Sequence, residues 1–376
     1  MKNKNAVLKI LAELCRLLIG VVFIFSGFVK AVDPMGGAIK IGEYLASFGL
    51  DMLQPFTVLL SFNLSAIEFA LGVCMLLGVY RRYVSFLILI FMAFMTPLTL
   101  YLALFDPVSD CGCFGDALVI SNWETFFKNI VLSLAAIVTF IYNQRLFQCF
   151  TFRAYWFVAL YAYLFGVGFA YYNYNHLPVI DFRPYKIGAN IPKLMDSKTE
   201  LVKKGYQPPV AAFNIYNGKG DDVTEEIIGN PGPVLLLVAP KLEEADDEQM
   251  DEINGVYDYA LEHDIPFYCV TGSSPEAIDT WSDNTGAEYP FRMADEVLLK
   301  TIIRSNPGLV LLKGGTILGK WHYNDIPAEE EVKAVMDRCL DESNIKSKED
   351  GTLATNLLTF TVPLLLVWMY DLLRFR

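Results

Sequence analysis

The sequence predicts an α-helical membrane bundle with an α/β domain inserted before its last helix, and three observations carry that prediction. The 376 residues are 54% hydrophobic and 19% charged, too apolar for an ordinary soluble chain and too charged for one lying wholly in lipid. Six mostly apolar windows are long enough to cross the hydrocarbon layer as helices, which satisfy their own backbone hydrogen bonds. Between the fifth and sixth windows, helix-length apolar runs give way to short ones alternating with polar, periodic stretches.

The windows are 10–32, 56–79, 83–105, 123–142, 155–172 and 353–370. Lys2, Lys4 and Lys9 precede the first, as in a signal peptide, but no small-residue cleavage site follows, and Lys30-Ala31-Val32-Asp33-Pro34 reads as a helix exit. Short loops rich in Lys and Arg stay in the cytoplasm. Lys2, Lys4, Lys9 and Arg16 flank the first helix start, Arg81 and Arg82 fill the second turn, Arg145 and Arg153 follow the fourth window, and Arg374 and Arg376 end the chain. The opposite short loops hold Lys30, Lys40 and Lys128 among Asp33, Glu43, Asp51, Asp106, Asp110, Asp116 and Glu124. The expectation is a six-span protein of the inner (cytoplasmic) membrane, with both termini cytoplasmic and residues 173–350 periplasmic.

Four spans with short turns make residues 1–150 a four-helix unit. Residues 151–175 are a fifth helix, with Tyr171, Tyr172 and Tyr174 as an interfacial belt at its exit. Residues 176–350 are the outer domain, and 351–376 the sixth helix and cytoplasmic tail. Within 36–54, Ile39, Ile41, Tyr44, Leu45 and Phe48 suit an amphipathic helix at the outer interface. The outer domain reads as strands at 233–239, 266–270, 309–313 and 316–321, with 289–293 extended. Helices are expected at 243–263, after Ser274-Pro275-Glu276, at 295–305 and at 328–340. Gly314-Gly315 marks a hairpin. The net charge of −12 includes an acidic run from Glu243 to Asp264 and no basic stripe, which argues against a nucleic-acid partner.

Chemistry concentrates at Asp110-Cys111-Gly112-Cys113-Phe114-Gly115-Asp116, between the third and fourth spans. Two thiols this close, in a compartment that permits disulfides, can react with each other, and the small ring of a Cys-x-Cys disulfide should be easily reduced. Glu68, near the middle of the second span, is costly there unless paired, protonated or hydrated; it reads either as a proton relay or ligand anchor, or as an internal hydrogen-bonding group. Lys30 and Asp33 would ordinarily snorkel or cap, although Lys30 is placed to stabilise a thiolate. Cys15 and Cys74 lie at similar depth near the cytoplasmic helix ends, Cys149 is cytoplasmic, and Cys269 and Cys339 suit buried packing. No metal site is expected, because His176, His263 and His322 form no ligand-spaced pair.

The outer domain's element order, Asn306-Pro307 before the hairpin and Leu312-Lys313-Gly314-Gly315-Thr316-Ile317 resemble the thioredoxin-like fold over roughly 185–342. That resemblance places a cis proline at Pro307 and a Cys-x-x-Cys pair after the first central strand. Here that position reads Pro240-Lys241-Leu242-Glu243-Glu244, so the domain is expected to be redox-silent and to serve in docking.

The Cys-Gly-Cys motif is accompanied by Arg16, Gly20, Phe23, Ser26-Gly27 and Lys30 in the first span, Glu68 and Gly72 in the second, and Trp123 and Asn129 in the fourth. Together they resemble the MauE/DoxX-like membrane proteins over about 8–145. The family is named for methylamine utilisation and for a component of a thiosulfate:quinone oxidoreductase, and its MauE-type members resemble vitamin K epoxide reductases. The resemblance implies that Cys111 and Cys113 pass electrons between thiols, with a quinone as candidate acceptor and Glu68 and Lys30 in support. The leading expectation is thus a thiol/disulfide redox-associated membrane protein. Its rival is a non-enzymatic assembly protein whose outer domain binds another envelope protein, with the cysteine turn as a structural staple. Transport is weaker, since the spans carry few polar groups and no paired broken helices.

Overall fold

The computed structural model describes residues 2–106, 111–196, 201–202, 210–340 and 347–375. The chain divides into two compact units, one of residues 1–173 with 354–376, the other of residues 174–353.

The first unit begins with α1 (Lys2–Val32), α2 (Pro34–Ser47), α3 (Thr57–Leu77), α4 (Arg81–Phe105), α5 (Asn122–Ile141) and α6 (Tyr155–Asn175, its last residues passing into the second unit), and ends with the C-terminal helix Ser347–Phe375 from Ala354 onward. Among the described residues, five helical stretches are long and apolar enough to cross a membrane: Asp51–Leu77, Arg81–Phe105, Asn122–Ile141, Phe152–Asn175 and Ala354–Arg374. The sequence-based expectation was six. The window 10–32 is not one of the five; it forms most of α1, which also carries Lys9, Glu13, Arg16 and Lys30. Ile10, Leu14, Leu17, Leu18, Val21 and Phe25 of α1 are nonetheless exposed and form an outward apolar stripe.

Glycine brings α1 and α3 together. A Cβ on Gly27 would lie 2.6 Å from the Ser65 carbonyl oxygen, and one on Gly72 would lie 2.5 Å from the Ile24 amide nitrogen. Only hydrogen fits at either place, so the two backbones approach as small-residue helix pairs do in membranes. At one end of this pair Arg16 closes the C-terminus of α3 by donating to the carbonyls of Met75 (3.4 Å) and Leu76, and Arg81 donates to the Leu146 carbonyl in the turn after α5. At the other end, Asp33 caps α2 by accepting from the Gly36 amide at 2.9 Å, with Pro34 in the first turn. The amphipathic segment expected in 36–54 is therefore helical over Pro34–Ser47, followed by a 3₁₀ turn at Asp51–Phe56. Ser121 and Glu124 form a capping box that starts α5 just after the cysteine turn.

The second unit holds a six-stranded sheet of β1 (Ile215–Tyr216), β2 (Pro233–Ala239), β3 (Phe267–Thr271), β4 (Phe291–Ala294), β5 (Gly308–Lys313) and β6 (Thr316–His322), in the order β1-β4-β3-β2-β5-β6. The β2–β3 and β3–β4 pairs are parallel, while β5 runs antiparallel to both β2 and β6. Alternation along β2 sends Val234, Leu236 and Val238 into one apolar core and Leu235, Leu237 and Ala239 into the other. Helices α7 (Met250–Glu262), α8 (Pro275–Thr285), α9 (Glu296–Ile302) and α10 (Glu329–Leu340) complete the layers, and the Asn306–Pro307 bond is cis. This is a thioredoxin-like arrangement, as the sequence led us to expect.

Two corrections concern this unit. The helix expected over 243–263 is helical only from Met250, after a 3₁₀ turn at Leu242–Glu244. Buried apolar residues at helical spacing, Ile253, Val256 and Ala260, occur only in the later half, and the Asp246 amide is taken by the Asn306 carbonyl at 2.9 Å. The polar stretch before β2 also supplies the short edge strand β1 and a buried charge cluster that sequence reading passed over. In that cluster Asp181 accepts from Arg183 Nε at 2.8 Å and from Lys320 Nζ at 2.9 Å.

Candidate functional site

The close α1–α3 contact sets three polar side chains of the membrane unit side by side. Lys30 Nζ donates to Glu68 Oε1 at 2.6 Å and Oε2 at 2.8 Å, and Ser26 Oγ lies 2.7 Å from Glu68 Oε2. Glu68 is 2% exposed, so the pair is buried, and its Coulomb attraction in low dielectric offsets the desolvation of both charges. Glu68 is thus neither bare nor merely hydrogen-bonded: it does both things expected of a tolerated membrane carboxylate, bonding a serine and pairing with Lys30. Lys30 is held inward on Glu68, while Asp33 has the capping role.

The cysteine turn docks onto this group. Ser26 Oγ also lies 2.8 Å from the Cys113 carbonyl oxygen, so its single proton chooses between that carbonyl and Glu68. Tyr44 of α2 donates to the Cys111 carbonyl at 2.7 Å. The turn is tight: Gly112 and Gly115 have φ of +64° and +50°, a region that L side chains seldom occupy. Both cysteines are buried free thiols, packed with Leu102 and against Tyr44, Met95 and Tyr101.

The two sulfurs share a hydrogen bond, and the electrostatics are asymmetric. Hydrogen bonding from Cys111 draws the Cys113 thiol down to about 6 against the burial that would raise it, with Lys128 and Lys30 adding their positive fields and Glu68 opposing them. The same hydrogen bond, together with burial and the charge on Cys113, pushes Cys111 well up. Of the two, Cys113 is therefore the sulfur that gives up its proton more readily. A cavity of about 30 Å³, room for one or two waters, is lined by Ser26, Lys30, Glu68, Cys113, Lys128 and Asn129 on its polar side.

All four candidates from the sequence, Cys111, Cys113, Glu68 and Lys30, lie in this one group; Asp110 falls outside the described residues. Sequence reading missed Ser26 and Tyr44 as anchors of the turn and Lys128 as a second cation; Lys128 carried a signal, a charge inside an apolar window, of the kind that flagged Glu68. Cys15, Cys74 and Cys149 contribute to the separate apolar core of the helices, and Cys269 and Cys339 to a core of the α/β unit.

In the α/β unit, the stretch 240–244 that stands where thioredoxin-like redox proteins carry their cysteines is tied down by polar bonds. Asn306 Nδ2 donates to the Lys241 carbonyl at 2.7 Å, and Ser273 Oγ accepts from the Leu242 amide at 2.8 Å and donates to Glu243 at 2.6 Å.

Comparison with known proteins gives a family match that lies within the first unit. Residues 8–142 match the family described as methylamine utilisation protein MauE. No curated protein matches the chain. Among solved structures, the chain is similar to the solution structure of a candidate protein disulfide isomerase from Bacteroides thetaiotaomicron, at 17% identity and a TM-score of 0.27, over 37% of this chain and 89% of that one. The chain is a multi-pass membrane protein with a MauE-like membrane region and a thioredoxin-like α/β unit.

Proposed function

We propose that the protein is a thiol/disulfide exchange protein of the inner membrane, with Cys111 and Cys113 as the exchanging pair on its outer side. The observation that carries this reading is the pairing of a thiol, Cys111, with a sulfur beside two lysines, Cys113, in one buried group. In the reduced pair Cys113 is the sulfur poised as a thiolate, the reactive form in exchange. Glu68 and Ser26 hold Lys30 and the Cys113 carbonyl in place, so the charge near the sulfur is fixed.

The outer location follows from the placement of Lys and Arg, which puts both termini in the cytoplasm and residues 173–350 in the periplasm, with α1 crossing as the sixth span. There the α/β unit, lacking cysteines at 240–244, serves as a redox-silent docking element for another envelope protein. Trapping with an alkylating reagent in intact cells tests the redox reading: the pair should be protected until reduced. Full alkylation of both thiols without prior reduction, while other envelope disulfides stay intact, would overturn it.

A second reading, assembly without redox chemistry, draws on the same tied-down 240–244 stretch. On that reading the variant carrying Cys111→Ser and Cys113→Ser keeps its partner and its cellular role at normal abundance. On the exchange reading the role is lost.

A further inference from the structure

Charge in the cysteine cavity does not balance within its helices. Two ammonium groups, Lys30 from α1 and Lys128 from α5, line it against one carboxylate, Glu68 from α3. Lys30 is matched by Glu68. Lys128 makes no salt bridge among the described residues; its Nζ lies 4.2 Å from the centroid of the Phe114 ring, a cation–π contact next to Cys113. It is half-buried on the first turns of α5. The charged or titratable groups acting on the Cys113 sulfur are Cys111 from its own turn, Lys30, Glu68 and Lys128, and a negative sulfur at Cys113 brings their sum to zero.

We propose that Lys128 is a positioning residue that, with Lys30, fixes the direction of exchange by making Cys113 the leaving sulfur and Cys111 the sulfur that is attacked. The inference rests on the exchange reading for its use of the disulfide. In the oxidised pair, the thiolate of a partner dithiol attacks Cys111 Sγ. A new S–S bond joins the partner to Cys111, the Cys111–Cys113 bond breaks, and its electron pair leaves on Cys113 between the two ammonium groups, since the sulfur that best carries negative charge leaves fastest. The partner's second thiolate then attacks the partner sulfur of the mixed disulfide. Cys111 departs with the electron pair and takes a proton from water; the partner has lost two electrons and the pair has gained them. The Cys111 thiol then donates to the Cys113 sulfur, the hydrogen bond that favours negative charge on Cys113.

Two measurements on the full-length protein in mild detergent test this. In the first, the oxidised protein is treated with glutathione, quenched with an alkylating reagent, and fragmented by mass spectrometry to locate the adduct. Glutathione on Cys111 with alkylated Cys113 is expected; the reverse overturns the assignment. In the second, the rate of Cys113 alkylation is followed against pH in a Cys111→Ser background. Lys128→Met should raise the midpoint by about one pH unit, and Lys128→Arg should leave it nearly in place. An unchanged midpoint in Lys128→Met, or an equal rise in both variants, overturns the role of Lys128. Both readouts use purified protein, so they are distinct from the cellular oxidation state that tests exchange itself.

Discussion

The two units each contain a turn held by polar groups from neighbouring elements, and they differ in what those turns carry. In the membrane unit, Tyr44 and Ser26 bind the carbonyls of Cys111 and Cys113, and the sulfurs face Lys30 and Lys128. In the α/β unit, Asn306 and Ser273 bind the backbone of 240–244, but the side chains there are Lys241, Leu242, Glu243 and Glu244. Anchoring of the backbone is common to both, so it does not by itself make a redox site. On the exchange reading, sulfur and a fixed cationic field do, and among the described residues the turn at 111–113 combines them. The α/β unit has the sheet and the cis proline, and its 240–244 stretch carries no cysteine.

Removing sulfur from each unit gives the largest expected contrast. The paired Cys111→Ser and Cys113→Ser changes should reduce oxidation of a dithiol peptide by the full-length protein to background, because no other exchangeable pair is proposed. Cys269→Ala with Cys339→Ala should leave the rate within about twofold, since these thiols pack in a core. Loss of exchange in the second variant, or its survival in the first, would break the comparison. The assay is the rate of peptide disulfide formation followed by mass spectrometry.

Charge removal comes next. Glu68→Gln leaves the Lys30 ammonium group buried without its counter-ion, which costs about 3–5 kcal/mol. A thermal melt in detergent should show a large fall, and adding Lys30→Met should recover most of it. Absence of recovery would mean that the two groups act independently, contrary to the 2.6 Å bond between them.

Most of this architecture was legible because its signals are local. Apolar windows of span length, a lone carboxylate within one of them and a Cys-Gly-Cys turn each stand out along the chain. Ser26 and Tyr44 do not, since a serine among apolar residues and a tyrosine on an interfacial helix are ordinary until folding brings them to the same turn. The closeness of α1 and α3 depends on Gly27 and Gly72, which sequence alone marks as small but not as facing each other. In the α/β unit, an acidic run from Glu243 looked helical throughout; Asp246 instead spends its amide on Asn306, a contact with a residue sixty positions away.

Acid should affect the α/β unit through His322. This ring is 3% exposed and accepts a hydrogen bond from the Asn324 amide on Nδ1 at 3.3 Å, and burial holds its folded-state pKa down at about 4. An unfolded histidine titrates near 6.5. The unfolded chain therefore binds the proton first, so the stability from neutral His322 is fully present above about pH 6.5 and is lost as the pH falls toward 4. The loss should reach up to about 3 kcal/mol, at about 1.4 kcal/mol per unit. Hydrogen exchange of peptides covering β6 should quicken over that window, and His322→Gln should flatten the dependence. Unaltered exchange between pH 6.5 and 4 would remove His322 as a cause.

The smallest effect sharpens the first comparison most directly. Glu244→Cys puts a thiol into the tied-down 240–244 stretch, at a side chain 65% exposed, with Lys241 within reach and Glu243 adjacent in sequence. Solvent screens both neighbours, and the carboxylate opposes the ammonium group, so the new thiol should react with an alkylating reagent with a midpoint near the ordinary cysteine value of about 8.5. Cys113, drawn to about 6, should react at far lower pH in the same protein. If the introduced thiol instead reacts as readily as Cys113 at pH 6, the field at 240–244 is as activating as the buried lysines. The difference between the two turns would then lie only in which residues happen to carry sulfur.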